Sequence, residues 1–341
     1  MTRIWMSGLE AGHIQIFDSS SGASISAAQA RTDSRSLLLG VWPPPYARAT
    51  LPAAIIEVFI RFGLHASFAI PDPGYTILSL QDSAGNAQCF LGLNTITHKI
   101  EMRRGDHNDT LLGSGGEIHQ DRWHCIEVHL LVDNAAGVLQ LKVDGTQVID
   151  FAGDTQSSVN ADVQAFSFGD SPHGGDALIS TYIDDIAFND VSGGVNDSWI
   201  GRGGIPAIFP IGAGASTDLD LFPNTGEANW EDVDEVPPDD DTSYVFDDLI
   251  DDHDSYEMDD LIATGTVAAV QWLARAKSAL AGAPEIARVL RIGGVDYQGA
   301  DVAIDTDYDY YPEILDEDPN AGPGAWTVAA INGMEAGVKI R

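Results

Sequence analysis

Between Gly12 and Asn189 the chain repeats short segments in which apolar and polar residues alternate, each bounded by turn-forming residues. HIQIF, AIIEVFIRF, YTILSLQ, AQCFLGLN, WHCIEVHLLV, GVLQLKVDGTQVIDF, AFSFG and YIDDIAF carry the alternation, and DSAGN, RRGDHN, VDNAAG and GDSPHGG separate them. A period of two sends successive side chains to opposite faces of a strand, so many short runs of this kind predict an antiparallel sandwich. No equally convincing helix appears in this half. Asp144-Gly145, between GVLQLKV and TQVIDF, predicts a two-residue hairpin, whose central positions need positive φ. The stretch VWPPPYARATLP, Val41 to Pro52, reads as a loop or arm, because proline cannot donate to a sheet ladder.

From Ser192 the texture changes. Residues 193–217 are glycine-rich and read as a linker, and residues 218–341 as an acidic segment followed by a β-rich assembly domain. No Lys or Arg occurs between Arg202 and Arg275. Within that acidic stretch Trp230, Tyr244, Phe246 and Tyr256 recur at intervals, which predicts a surface lying against a partner rather than a solvated tail. TGTVAAVQWLARAKSALAG fits both a helix and a buried strand and is read as strand. EIARVLRIGGVDYQGADVAI reads as two strands about a glycine turn, and WTVAAINGMEAGVKIR as a closing strand, or a short helix and a strand. The expected fold class is all-β: an antiparallel jelly-roll sandwich over residues 1–192 and a smaller C-terminal β-rich domain. At 341 residues the chain is long enough for both.

The 52 acidic residues against 17 Lys and Arg give a formal net charge of -35. Such a chain repels phosphate backbones and anionic lipid, so neither nucleic acid nor membrane is an expected partner. No segment approaches the roughly 20 apolar residues of a bilayer span, and the N-terminus reads as carrying no secretion signal. Cys89 and Cys125 lie in apolar runs and read as buried free thiols rather than a disulfide.

Asp184 and Asp185 are the chemistry-bearing pair. As neighbours in a strand they point to opposite faces, so one must be aimed inward or at a loop, where a carboxylate is costly without donors. The preferred reading is that they fasten backbone. Calcium ligation is the alternative, with Asp170, and also Asp176 or Asp72, supplying further oxygens. In DTDYDYYPEILDED the spacing of Asp305, Asp307, Asp309 and Asp316 suits a calcium loop, but Tyr310 stands where a sharp turn needs glycine and Pro312 interrupts. For catalysis the strands offer only isolated acids, Glu101 and Glu127, and His124 and His129 lack partners at ligand spacing. No enzymatic activity is expected, and no cofactor beyond that calcium.

RWHCIEVHLLVDNAAGVLQLKVDGTQVIDF, then FSFGD, then YIDDIAFND together resemble the second half of concanavalin A-like jelly rolls of the laminin G and pentraxin type. There a tryptophan-led strand, a hairpin over Asp-Gly and a final Ile-Asp-Asp strand follow in this order. The resemblance covers roughly Gly12 to Asn189. It implies a final-strand aspartate that accepts hydrogen bonds from loop amides, and a loop surface able to bind sugars through Trp42, Tyr46, Tyr75 and His173. The Glu-Asp-Glu strand of the glycosidase branch is absent. The succession VNDSWIGRGG, GASTDLDLFPNTGEANWEDVDE, DDDTSYVFDD and WTVAAINGMEAGVKIR is similar to tailed-phage virion proteins with an N-terminal jelly roll. It implies a non-enzymatic structural protein of the particle (tail, baseplate, fibre or head-associated), whose partners are other virion proteins and further copies of itself. The alternative is a carbohydrate-binding tail adhesin that recognises a host-surface glycan.

Overall fold

The structure, a computed structural model, describes residues 3–40, 45–68, 75–169, 179–279, 284–322 and 324–341. It is nearly all β and divides into two compact units, residues 1–205 and 206–341.

The first unit is a sandwich of two antiparallel sheets. One runs Thr146–Gly153, Gly137–Val143, Trp123–Leu131, Glu57–Phe68, Ile179–Asn189, Ser36–Leu39, Ala23–Ser26, with Arg3–Ser7 also paired to Ile179–Asn189. The other runs Leu111–Glu117, Lys99–Arg104, Ala87–Asn94, Tyr75–Gln81, Val163–Gly169, Tyr46–Ile55, Ser19–Ser21. Alternate residues of the central strands meet in one core: Ile60, Phe62 and Leu64, with Ile126 and Val128, lie with Leu91, Leu93, Phe166 and Phe168, all buried. Fully burying each such side chain is worth about 1.5–3 kcal/mol, which fixes the register because a one-residue slip would turn the set to water.

Two segments depart from expectation. HIQIF contains a 3-10 turn at Ile14–Ile16 and no strand, closed by the Phe17 amide on Ile14 O at 3.0 Å, so that Ile14, Ile16 and Phe17 all reach the core. Tyr46–Ile55 is a strand rather than part of an arm. Its Pro52 is tolerated because the pairing with Val163–Gly169 skips from Thr50 to Ile55, leaving no ladder position for the missing donor. Both cysteines are buried and unbridged, and burial pushes the Cys89 thiol up to about 12.

The second unit is built on a six-stranded antiparallel sheet in the order Pro210–Thr217, His253–Met258, Met334–Ile340, Glu285–Ile292, Val295–Gln298, with Val302–Ala303 added to Glu285–Ile292. Residues 193–217 therefore do not form one linker: 193–205 belong to the first unit and Pro210–Thr217 is a sheet strand. Leu290, Ile292, Trp326, Ile331 and Met334 make the small core, and Trp326 Nε1 donates to Leu315 O at 3.0 Å. Two ribbons complete the unit, Asp220–Phe222 with Tyr244–Phe246, and Val270–Ala276 with Asp309–Leu315. The closing segment is the helical turn Val328–Ile331 followed by Met334–Ile340.

Candidate functional site

The two aspartates of the last sandwich strand do not point to opposite faces. Asp184 pairs with Gly63 and Ala187 with Arg61, so three steps on one strand match two on its partner. This is a β-bulge, and Asp185 occupies it with φ at 52°, a region that Asp enters more readily than most residues. Ile183 and Ile186 then both face the core while both carboxylates emerge on the outer face, fully buried.

Donors meet them there. Asp184 Oδ2 accepts from the Arg31 amide at 2.7 Å and the Thr32 amide at 3.1 Å, and Asp184 Oδ1 from the Asp185 amide at 2.6 Å. Asp185 accepts from the Arg31 guanidinium, from Thr32 Oγ1 at 2.9 Å and from the Ile205 amide at 2.6 Å. Burial and the adjacent Asp185 charge push the Asp184 carboxyl up to about 7, against the pull of its amide donors.

The same face holds the segment 201–205. Arg31 donates to Arg202 O at 2.8 Å and Gly203 O at 2.9 Å, buried Arg61 also donates to Gly203 O, and the Gly201 amide donates to Glu127 Oε1 at 2.8 Å. Four charged side chains thus bind one stretch of backbone through both its donors and its acceptors. Arg31, Arg61 and this strap carry no sequence motif. The arrangement fastens chain to sheet, and the oxygens that would face a cation are taken by amide, hydroxyl and guanidinium donors. Asp170 lies outside the described residues, as do Asp72 and Asp176.

Nearby histidines are fastened too. His124 Nε2 accepts from the His119 amide at 2.9 Å, which leaves Nδ1 to donate to Asp144 at 2.8 Å. His129 stacks on Phe59 at 4.1 Å and bonds Glu57 at 2.8 Å and Gln140 at 3.1 Å, with Trp199 edge-on to both rings. Among the described residues no three His, Cys, Asp or Glu side chains form a group that could hold a metal ion. Asp309 opens a ladder strand, and Pro312 pairs with Leu273.

Of the residues expected to meet a glycan, Tyr46 and Tyr75 come to one end of the second sheet. Val163–Gly169 lies between their strands, with Gly169 opposite Tyr46 and Phe168 opposite Leu78. Both tyrosines are half-buried, and Tyr75 packs against the core. Trp42 and His173 lie outside the described residues.

Of the aromatics expected at an assembly surface, the structure separates two from two. Tyr256 is buried, its hydroxyl donating to Asp254 at 3.0 Å, and Trp230 is half-buried in the 3-10 turn Asn229–Asp232. Tyr244 and Phe246 share one face of a ribbon, and Phe222, which the sequence reading missed, joins them. The available signal was its place in the same Lys- and Arg-free acidic stretch as Trp230, Tyr244, Phe246 and Tyr256.

No protein-family model and no curated protein matches this chain. Solved structures align with part of the chain at low similarity. The cellulose-induced protein Cip1 aligns with TM-score 0.45 at 16% identity, over 58% of this chain and 100% of its own. The alginate lyase Aly36B aligns with TM-score 0.37 at 12% identity, over 56% and 93%. A carbohydrate esterase of the Shiga toxin-encoding bacteriophage phi24B aligns with TM-score 0.37 at 16% identity, over 50% and 88%. The expectation that the chain has no enzymatic activity is corrected: an alginate lyase and a carbohydrate esterase stand among the aligned structures, and that expectation is not carried further. Absence of the Glu-Asp-Glu strand removes one hydrolytic arrangement only.

Proposed function

We propose that this chain binds a glycan at one rim of its N-terminal sandwich. The observation that carries the reading is the placement of Tyr46 and Tyr75 at the same end of the second sheet, on the two strands that flank Val163–Gly169, with Tyr46 on the outer face of that rim and Tyr75 on its core side. A tyrosine offers a flat apolar ring with a polar tip, which suits the CH face and the hydroxyls of a sugar. The similarity of the connecting segments to tailed-phage virion proteins supports a place on the particle. There the ligand is a host-surface glycan, and the neighbours are other virion proteins and further copies of the chain.

A glycan array probed with the full chain at physiological salt, with and without calcium, tests this. Specific binding is expected, weakened at least about tenfold by Tyr46→Ala and by Tyr75→Ala in variants that keep their melting temperature. Binding to no glycan, or binding indifferent to both substitutions, overturns the reading. Reducing-end assays on the glycans that bind distinguish recognition from turnover.

A further inference from the structure

We propose that the face bearing Phe222, Tyr244 and Phe246 docks a basic protein segment that presents an apolar or aromatic side chain. In the ribbon Phe222 lies opposite Tyr244 and Asp220 opposite Phe246, so period-two alternation puts these four side chains on one face and Leu221 and Val245 on the other. The Phe222 and Tyr244 rings stack at 5.1 Å, and Phe246 meets Tyr244 at 5.9 Å and 62°. Phe222 is 45% exposed and Phe246 46%, and Leu249 and Ile250 just beyond are exposed as well. A contiguous aromatic face left in water marks an interaction surface, whereas scattered single residues would not.

The face is held rigidly. A two-stranded ribbon alone is marginal in water. Here Leu219, at its base, donates its amide to buried Asp254 at 3.0 Å, and Asn229 Nδ2 bridges Leu219 O at 2.7 Å and Asp254 Oδ2 at 2.6 Å. On the approach to Tyr244, Asp240 pairs with Arg275 through both carboxylate oxygens, at 2.6 and 2.9 Å, and Asp241 with Lys277. Pre-organised rings of this kind cost a partner little ordering entropy.

Charge selects the occupant. From Asp218 to Asp260 the chain carries eighteen Asp and Glu and no Lys or Arg. Arg275 and Lys277 are taken up by Asp240 and Asp241, while Asp220 and Asp248, in and beside the ribbon, are exposed. A second copy of a chain with net charge -35 would bring like charge to this frame, and nucleic acid and anionic lipid are repelled by it. A neutral sugar gains nothing from the acidic surround. A protein segment with Lys or Arg flanking an apolar knob matches both the rings and the charge.

The test uses the full chain and short labelled peptides that alternate Lys with Trp, against Lys-only peptides of equal charge, read by fluorescence anisotropy. The Lys–Trp peptide is expected to bind about tenfold more tightly than the Lys-only one, and to lose that margin in Phe222→Ser and in Phe246→Ser. Its affinity is expected to fall as salt rises from about 50 to about 300 mM. Both rings are half exposed, so both variants are expected to keep the parent melting temperature, and retained binding of the Lys-only peptide confirms an intact acidic frame. Equal binding of the two peptides overturns the proposal in favour of diffuse polyanion attraction. So does absence of binding, or an oligosaccharide panel bound here and lost in Phe246→Ser.

Discussion

The Ile205 amide donates to Asp185 Oδ1 at 2.6 Å, tying the end of the sandwich unit to a bulge twenty residues earlier in the chain. Asp185 also takes the Arg31 guanidinium, which itself holds the Arg202 and Gly203 carbonyls. Asp185→Ala leaves Arg31 without its buried counter-charge and is expected to destabilise the first unit by about 3–5 kcal/mol. Because the Arg202 side chain is 64% exposed, trypsin should cut after Arg202 much faster in this variant than in the parent. Unchanged denaturation midpoint and unchanged cleavage rate would show that the strap is held by something else.

Asp184 titrates in an unusual direction. Its folded value of about 7 lies above the ordinary aspartate value near 4, so between those limits the folded chain keeps a proton that the unfolded chain gives up. This group's contribution to stability is therefore fully present below about pH 4 and is lost as pH rises through about 7. Urea unfolding of the parent and of Asp184→Asn at pH 5 and pH 7.5 should show a steeper decline for the parent, up to about 1.4 kcal/mol per pH unit. Parallel slopes would mean that the amide donors of Arg31, Thr32 and Asp185 outweigh burial and the neighbouring charge.

Much of the sandwich was legible because its signals are local. The Asp144-Gly145 turn has φ of 52° and 83° and closes the hairpin Gly137–Val143 to Thr146–Gly153, as a dipeptide that accepts positive φ at both positions should. Alternation gave the core face of Glu57–Phe68 and Trp123–Leu131. The bulge at Asp185 was illegible, since a single inserted residue leaves the apolar pattern YIDDIAF readable as an unbroken strand. Arg31 was illegible for a different reason: its acid partner is more than a hundred residues away, and one arginine in a polar loop has no period. Glycine-rich text after Ser192 reads as linker by composition, yet the backbone of 201–205 supplies the hydrogen bonds that the buried charges need.

Asp82 is the counterpart to Asp184. Burial alone would raise it, but bonds from the Asn86 side chain, Ser158 Oγ and the Asn86 and Ala84 amides outweigh burial and bring it down to about 2. The same carboxylate accepts from Asn160 Nδ2 at 3.1 Å, so it pins the 157–160 loop onto the turn at 82–86. Its contribution to stability is present above the ordinary value near 4 and is lost as pH falls through about 2. Asp82→Ala should cost about 2–4 kcal/mol at neutral pH and open the Ser157 and Asn160 amides to hydrogen exchange before the rest of the sandwich. Uniform exchange across both sheets would contradict a local clamp.

Gly63 sits where Arg31 crosses the outer face of the first sheet. A Cβ added there would stand 2.6 Å from Arg31 Cδ, 3.3 Å from the Trp123 ring and 3.4 Å from Asp184 O. A flexible arginine would ordinarily swing aside at little cost. This one is gripped by Asp185, Arg202 O and Gly203 O, so moving it breaks charge-assisted bonds. Gly63→Ala should therefore destabilise the unit by about 1–3 kcal/mol. In the background of Arg31→Ala the same substitution should cost much less, because the atom at 2.6 Å is gone and the Trp123 ring at 3.3 Å is the tightest contact left. A double-mutant cycle by denaturant unfolding reads that coupling directly, and additive costs would show that Gly63 is required for strand pairing and not for the passage of Arg31.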